Sequence, residues 1–185
     1  MAQIGVFFGT GYEEVEALAV VDVLRRGGMD VKMISITDEK QVTSSHRVTV
    51  LMDQTLKETD FGKLDMIMLP GGMPGTKNLE ACEELMKQVE DFYAKGKWIA
   101  AICAAPSIFG HRGLLKGRNA CSYPSFESHL EGAEVSHNPV EISGHVITSR
   151  GMGTAVELGL KILELFTDLK TADEMADKIV YQRIS

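Results

Sequence analysis

The stretch KWIAAICAAPSIFGHRGLL, residues Lys97–Leu115, passes from an apolar strand to a helix through one cysteine. The strand residues KWIAAIC are apolar with little alternation, as expected for a strand that is buried on both faces. Cys103 ends this strand, and the small residues Ala104 and Ala105 lead into the helix. The stretch therefore predicts a strand–turn–helix unit of an α/β fold, with a thiol at the turn.

The rest of the chain alternates in the same way between apolar strands and helices. The predicted strands are Gln3–Gly9, Asp30–Thr37, Arg47–Asp53, Asp65–Gly72 and Lys97–Cys103, and the predicted helices are Glu13–Gly28, Leu79–Gly96, a segment after Cys103, and Gly153–Phe166. We expect Arg47–Asp53 to pair with the preceding QVTSS as a hairpin. This order implies a three-layer sandwich, in which helices cover both faces of a mostly parallel central sheet.

The composition is that of an ordinary globular protein. The 185 residues suit one domain, residues 1–185, and are 44% hydrophobic and 24% charged. The net charge of −7, without a lysine- or arginine-rich run, argues against nucleic-acid and membrane partners. The opening MAQIGVFFGTGYEE predicts neither a signal peptide nor a membrane span. Three cysteines without metal-type spacing favour free thiols in a reducing cytoplasm.

Three predicted strand ends carry residues that suit a ligand site. Gly9–Gly11 follows the first strand, Gly71 and Gly72 follow a later one, and Cys103 ends another. The carboxyl ends of parallel strands meet at one edge of the sheet, where α/β folds bind ligands. A thiol at a strand-to-helix turn meets backbone N–H groups and the helix dipole, both of which favour thiolate. The sequence therefore predicts a reactive thiol, with a packed core cysteine as the simpler alternative.

Four motifs, taken in order, resemble those of one family. They are GYEEVE (Gly11–Glu16), LPGG (Leu69–Gly72), AAICAAP (Ala100–Pro106) and TSRGMGT (Thr148–Thr154). Together they are similar to the motifs of the ThiJ/PfpI superfamily, and specifically of its DJ-1 branch. The likeness runs from the first strand to the last long helix. It implies a flavodoxin-like α/β sandwich that requires no cofactor or metal.

The resemblance also implies roles for individual residues. Cys103 matches the family nucleophile, and Glu16 matches the carboxylic acid that lies beside its sulfur. Gly71 and Gly72 match the glycine turn, whose N–H groups are expected to form an oxyanion-binding nest.

Two further positions of the expected substrate site depart from the family pattern. Relatives that are peptidases carry a histidine directly after the cysteine, where this chain has Ala104. The change removes the most natural general base for acyl transfer. Members of the DJ-1 branch commonly carry a histidine before a proline where this chain has Tyr123. Tyrosine can hydrogen-bond a substrate but is a poor proton acceptor near neutral pH.

The first predicted helix supports a special role for Glu16. One face of this helix forms a core stripe that consists of Ala17, Val20, Val21 and Leu24. The remaining surface is also largely apolar, because it carries Val15, Leu18, Ala19 and Val23. A helix that is apolar nearly all round is buried on more than one side. Because burial disfavours a charged carboxylate, we expect Glu16 to stay protonated and to donate a hydrogen bond to sulfur.

The surplus apolar face of this helix also predicts a partner surface. The resemblance implies a homodimer built on the helix, with Arg26 and Arg47 as polar neighbours of the interface.

The remaining cysteines and the histidines predict no second site. We expect Cys82 on a polar helix and Cys121 on a buried strand, both with structural roles. His129, His137 and His145 are assigned to different turns and strands, so they predict no metal site. We expect His111 to be a surface or packing residue.

The function that the resemblance implies is that of a stress-protective enzyme acting on reactive carbonyls. A glyoxalase converts methylglyoxal to lactate, and a deglycase removes early glycation adducts. Two alternatives stay open. One is a redox sensor or chaperone that uses an oxidisable Cys103, and the other is a cysteine hydrolase of small amides.

Overall fold

The computed structural model describes residues 2–183, so residues 1, 184 and 185 of the predicted domain lie outside the described residues. The strands are β1 (Gln3–Phe8), β2 (Asp30–Ser35), β3 (Gln41–Thr43), β4 (Thr49–Leu51), β5 (Gln54–Thr55), β6 (Met66–Leu69), β7 (Trp98–Ile102), β8 (Asn119–Ala120), β9 (Glu134–Val135), β10 (Val140–Ser143) and β11 (Val146–Ser149). The helices are α1 (Glu14–Arg26), α2 (Gly75–Ala81), α3 (Glu83–Ala94), α4 (Pro106–His111), α5 (Ala155–Phe166) and α6 (Leu169–Lys178).

The main sheet has seven strands in the order β10-β11-β7-β6-β1-β2-β5. Every pair is parallel except β10 with β11, which is antiparallel at one edge. Side chains of β1 alternate between two cores: Val6 packs with residues of α1, α5 and α6, and Phe7 packs with residues of α2, α3 and α4. The predicted flavodoxin-like sandwich with a mostly parallel sheet is therefore confirmed.

The local predictions hold in part: the predicted strand Arg47–Asp53 is shortened to β4, and strands β5 and β8 to β11 were not among the predicted strands. The hairpin is confirmed, because β3 pairs antiparallel with β4. The predicted helix Leu79–Gly96 is instead two helices that meet at Cys82, whose backbone leaves the helical region (ψ 87°) and whose carbonyl accepts the Met86 N–H. Helix α4 has only six residues, and α6 was not predicted.

The topology brings the predicted site residues to one edge of the sheet. Strands β1, β6 and β7 are neighbours in its middle, and Leu69 of β6 is in register with Ala101 of β7. The segments that follow these strands therefore emerge side by side, as expected for the ligand edge of a parallel sheet. Among residues 2–183, no helix has both the length and the apolar character that a membrane span requires.

Candidate active site

Cys103 occupies a strained turn between β7 and α4. Its φ is +65°, a left-handed conformation that few residues other than glycine adopt. Its N–H donates to the Ser149 carbonyl (2.9 Å), and its carbonyl accepts from the Tyr123 N–H (2.9 Å). These bonds hold the backbone so that a partly exposed thiol stands at the sheet edge, in the manner of a nucleophile elbow.

Glu16 lies in the first turn of α1 and faces the thiol. The Glu13 carboxylate accepts from the Glu16 N–H (2.7 Å) and caps the helix. The Glu16 side chain is almost fully buried, with 1% exposure, and hydrogen-bonds the Cys103 side chain. Its Oε2 also accepts from the Gly71 N–H (3.1 Å). The predicted pairing of Glu16 with Cys103 is therefore present in the structure, whereas its chemical role stays a prediction.

Gly71 is required where β6 leads into the site. A Cβ at this position would lie 2.6 Å from the Cys103 Cβ and 2.6 Å from the Glu16 Oε2, closer than packed atoms approach. The absence of a side chain thus lets the thiol and the carboxyl come together. Since the Gly71 N–H already binds Glu16, its geometry supports a positioning role in place of the predicted oxyanion nest.

The N–H groups that face the sulfur come from Gly72 and Ala104. Gly72 has a φ of +92°, and Ala104 is buried next to the thiol in sequence. Two N–H donors that converge on one point are suited to hold a negatively charged sulfur or oxygen. The predicted oxyanion role therefore fits Gly72 and Ala104 best.

Burial dominates the electrostatics of this pair. It raises the pKa of Glu16 from an ordinary 4.5 to about 7, against the lowering effect of hydrogen bonds from Cys103, Gly71 and Met152. Burial, followed by the charge of Glu16, raises the pKa of the Cys103 thiol, and the N–H groups lower it only in part, so the lowered thiol pKa that we expected at a strand-to-helix turn is not supported. The expectation that Glu16 stays protonated thus holds below about pH 7. Above that pH, one proton is shared between carboxyl and thiol.

This shared proton predicts an unusual pH profile for alkylation of Cys103. The reactive form, a thiolate beside a protonated Glu16, contains as many protons as a thiol beside a carboxylate. Its population therefore stops rising once the pair has lost its first proton, at about pH 7. In Glu16→Gln the buried thiol must ionise alone, so we expect the midpoint to move above the ordinary thiol value of about 8.5.

Iodoacetamide labelling of Cys103 across pH, read by mass spectrometry, measures both midpoints. Glu131→Gln, which alters an exposed acid, is the control and should keep the wild-type midpoint. A Glu16→Gln midpoint equal to that of the wild type would show that the two groups do not share a proton.

Tyr123 lies at the mouth of the same site. Its ring is half exposed, and its Cδ2 lies 3.6 Å from the position that a Cβ on Gly151 would take. The Glu16 Oε1 lies 3.9 Å from that same position. Tyr123 and Glu16 therefore both lie close to Gly151, so the ring of Tyr123 is a neighbour of the Glu16 carboxyl at this site.

The two arginines are not brought to the thiol. Arg26 lies at the far end of α1 and forms an exposed ion pair with Asp22 (2.6 Å). Arg47 lies in the exposed turn of the β3–β4 hairpin, with a φ of +68°. Beside that turn, His46 contacts Glu14 at the start of α1 (3.2 Å). Within this chain both arginines are surface residues, and their place beside an interface stays a prediction.

The sequence placed Glu13 at the helix start, where it could line the mouth of the site, but its capping role and the part played by Met152 were not predicted. Glu13 caps the turn that carries Glu16, and the Met152 N–H hydrogen-bonds the Glu16 carboxylate. Glu13 lies inside the motif GYEEVE and Met152 inside the motif TSRGMGT, so the motifs already marked both positions as part of the site. A backbone donor has no side-chain signature, and for that reason Met152 was not singled out.

Within the described residues, no hydrogen bond or ion pair joins Cys82, Cys121, His111 or His129 to the Cys103 thiol. Cys121 directly follows β8 and does not lie on a strand as predicted, but it is buried, and burial raises its pKa to about 11, which fits a structural role. Cys82 lies at the junction of α2 and α3 and not inside a helix. His111 and His129, which we treated separately, hydrogen-bond each other (3.1 Å).

One trio of side chains within residues 2–183 has metal-ligating atoms close together. Oxygen or nitrogen atoms of Glu13, Glu14 and His46 lie within 4.8 Å of one another. Glu13 already caps the Glu16 N–H, and Glu14 already contacts His46. These bonds account for the cluster within the chain.

Comparison with known proteins gives one consistent result. The model of the DJ-1/PfpI family matches residues 2–165. Protein DJ-1 homolog B of Arabidopsis thaliana is 38% identical over 92% of this chain, which spans only 39% of that longer relative. A Caenorhabditis elegans protein named glutathione-independent glyoxalase DJR-1.2 is 35% identical, with 82% of this chain and 81% of that protein covered. The structure of oxidized Toxoplasma gondii DJ-1 superposes with a TM-score of 0.94 at 32% identity, covering 98% and 99% of the two chains.

Proposed function

This chain belongs to the DJ-1/PfpI family, and we propose that it is a cofactor-independent enzyme that isomerises small dicarbonyl compounds. Methylglyoxal is the proposed substrate and lactate the product. Removal of early glycation adducts would use the same groups. The name of the Caenorhabditis elegans relative supports this reaction class. The observation that carries the proposal is a buried carboxyl, of pKa about 7, hydrogen-bonded to the thiol of a strained turn.

The first step is addition of sulfur to the aldehyde carbon. The Cys103 thiol transfers its proton to the Glu16 carboxylate as the carbon–sulfur bond forms. The aldehyde oxygen gains the charge and is held by the N–H groups of Gly72 and Ala104. This oxygen then takes the proton that Glu16 received, which gives a hemithioacetal on Cys103 and leaves Glu16 ionised.

The second step moves a proton between neighbouring carbons. Ionised Glu16 removes the proton from the carbon that bears sulfur and gives an enediolate, with the negative charge on the neighbouring ketone oxygen. Glu16 then returns a proton to that neighbouring carbon, and the hydroxyl proton on the sulfur-bearing carbon passes to the neighbouring oxygen, which leaves a lactate thioester on Cys103. Water cleaves this thioester to release lactate and restore the thiol. A group with a pKa of about 7 suits both halves of this transfer near neutral pH.

The reaction is tested by incubating the purified protein with methylglyoxal in thiol-free buffer. Proton NMR should show lactate accumulating over many turnovers for each protein molecule. Cys82→Ser is a matched control that removes a thiol outside the site and should keep this activity. Absence of lactate, or consumption of methylglyoxal only in stoichiometric amount, would contradict the proposal.

Oxidation of Cys103 is the second candidate function. Two N–H groups and a carboxyl surround the sulfur, and these are the partners that a sulfinate needs. The superposed Toxoplasma gondii protein is described as oxidized. A sulfinate formed at Cys103 by stoichiometric peroxide, with the fold intact and without lactate turnover, would favour a redox sensor.

A homodimer through α1 is proposed as the working assembly. Val23 is buried against Gly159 of α5, so the free apolar face is smaller than we predicted. What stays exposed around the start of α1 is Val15 (45%), Val48 (43%) and Met152 (58%). Exposed hydrophobic residues that cluster are typical of an interaction surface.

Sedimentation at micromolar concentration tests the dimer. We expect the wild type to sediment as a dimer and Val48→Glu to shift the equilibrium towards monomer. Ile142→Glu is the matched control, because Ile142 is equally exposed (41%) on the edge strand β10. A monomeric wild type would remove the proposal.

A further inference from the structure

A second cavity of about 630 Å³ lies outside the Cys103 site, between α2, α4 and the 3-10 segment Pro124–His129. Its size falls in the range of small-molecule sites, about 300–1,000 Å³. Met73, Pro74 and Phe126 supply apolar walls. Neither Cys103 nor Glu16 lines it, and Met73 directly follows Gly72, so the cavity borders the proposed reaction site without including its thiol or its carboxyl.

A hydrogen-bonded chain of three titratable side chains lines this cavity. The Glu80 carboxylate contacts Nδ1 of His111 (2.7 Å), and Nε2 of His111 contacts Nδ1 of His129 (3.1 Å). Because the carboxylate accepts, Nδ1 of His111 carries a hydrogen. Nε2 of His129 then presents a lone pair when the two rings are neutral, and an N–H when they share one more proton. The Glu80 carboxylate is therefore already hydrogen-bonded to His111.

Two further polar groups of α2 lack partners in the described structure. Lys77 lines the cavity and forms no ion pair within residues 2–183. The Thr76 hydroxyl is fully buried and, within the same residues, has no hydrogen-bond partner. A buried hydroxyl without a partner is costly, and a bound acceptor would remove that cost. The cavity thus combines an exposed lysine that forms no ion pair within the described residues with one hydroxyl that has no acceptor among them.

We propose that this cavity binds a small organic anion, a carboxylate on an apolar or aromatic body. The carboxylate pairs with the Lys77 ammonium and accepts from the Thr76 hydroxyl, and it accepts from Nε2 of His129 when the two imidazole rings share the additional proton. The body packs against Met73, Pro74 and Phe126. Binding here does not depend on the proposed reaction at Cys103.

The probe is 4-phenylbutyrate, titrated into ¹⁵N-labelled protein and followed by amide chemical shifts. We expect saturable shifts at α2, α4 and Pro124–His129. The neutral analogue 4-phenylbutanamide has the same shape without the charge, and should bind at least about tenfold more weakly. Cys103→Ser should bind the anion as well as the wild type does, which separates this site from the proposed function.

Two lysine variants test whether Lys77 recognises the negative charge of the anion at this cavity. Lys77→Gln should weaken 4-phenylbutyrate at least about tenfold. Lys87→Gln, which alters an exposed lysine of α3 outside the cavity, should leave the affinity unchanged. No saturable shift at millimolar probe, equal affinity for acid and amide, or no effect of Lys77→Gln would each overturn the proposal.

Discussion

Replacing Cys103 with serine is expected to lower kcat/KM for methylglyoxal by at least about a thousandfold. The hydroxyl of serine is a far weaker acid than a thiol, and Glu16, with a pKa of about 7, is too weak a base to ionise it. The strained turn, its N–H groups and Glu16 all stay in place, so the loss reports the sulfur itself.

The measurement is initial-rate kinetics at saturating and limiting methylglyoxal. Cys82→Ser provides the matched comparison, because Cys82 lies at the α2–α3 junction, where its loss removes a thiol and leaves the site intact. Retention of more than about a tenth of the wild-type rate by Cys103→Ser would exclude covalent addition to this cysteine.

Replacing Glu16 with glutamine is expected to have opposite effects on activity and stability. The amide keeps an acceptor for the Gly71 N–H but cannot take a proton, so we expect activity to fall by about 10²–10⁴-fold. The folded protein holds Glu16 protonated up to about pH 7, whereas in the unfolded chain it ionises near 4.5. The unfolded state therefore binds fewer protons between these values, and the free energy of unfolding of the wild type falls as pH rises through them.

The size of this stability effect follows from the pKa shift. Each pKa unit corresponds to about 1.4 kcal/mol, so a shift from 4.5 to about 7 makes ionisation of Glu16 cost on the order of 3 kcal/mol above pH 7. Glu16→Gln removes that cost, and its free energy of unfolding should exceed that of the wild type at about pH 8 and match it near pH 4. Urea denaturation at the two pH values measures the difference. A variant that is less stable than the wild type at the higher pH would contradict the raised pKa.

The fold was predictable because its signals are local in sequence. Uninterrupted apolar runs such as that before Cys103 mark strands buried on both faces, and the alternation with helices fixes a parallel sheet. The break at Cys82 and the short α4 were not predictable in this way. In each case, tertiary contacts end a helix that the local sequence would allow to continue. Helical propensity contains no information about those contacts.

The residues of the candidate site were predictable where their side chains, and not their backbone groups, form the site. The burial of Glu16 follows from a helix that is apolar on nearly every side, and Cys103 follows from its place at a strand end. The N–H groups of Gly71 and Met152 were beyond prediction because a backbone donor is the same in every residue. The contact between His111 and His129 joins two elements whose packing no local pattern specifies.

The proton transfer by Glu16 is tested most directly by running the methylglyoxal reaction in D₂O. If Glu16 removes the proton and returns one from its own carboxyl, that carboxyl exchanges with solvent and deuterium enters carbon 2 of lactate. Proton and deuterium NMR of the isolated lactate read this position without ambiguity. We expect wild-type protein to give lactate with substantial deuterium at carbon 2. Lactate that carries only protium there would indicate a direct hydride shift and would contradict the role assigned to Glu16.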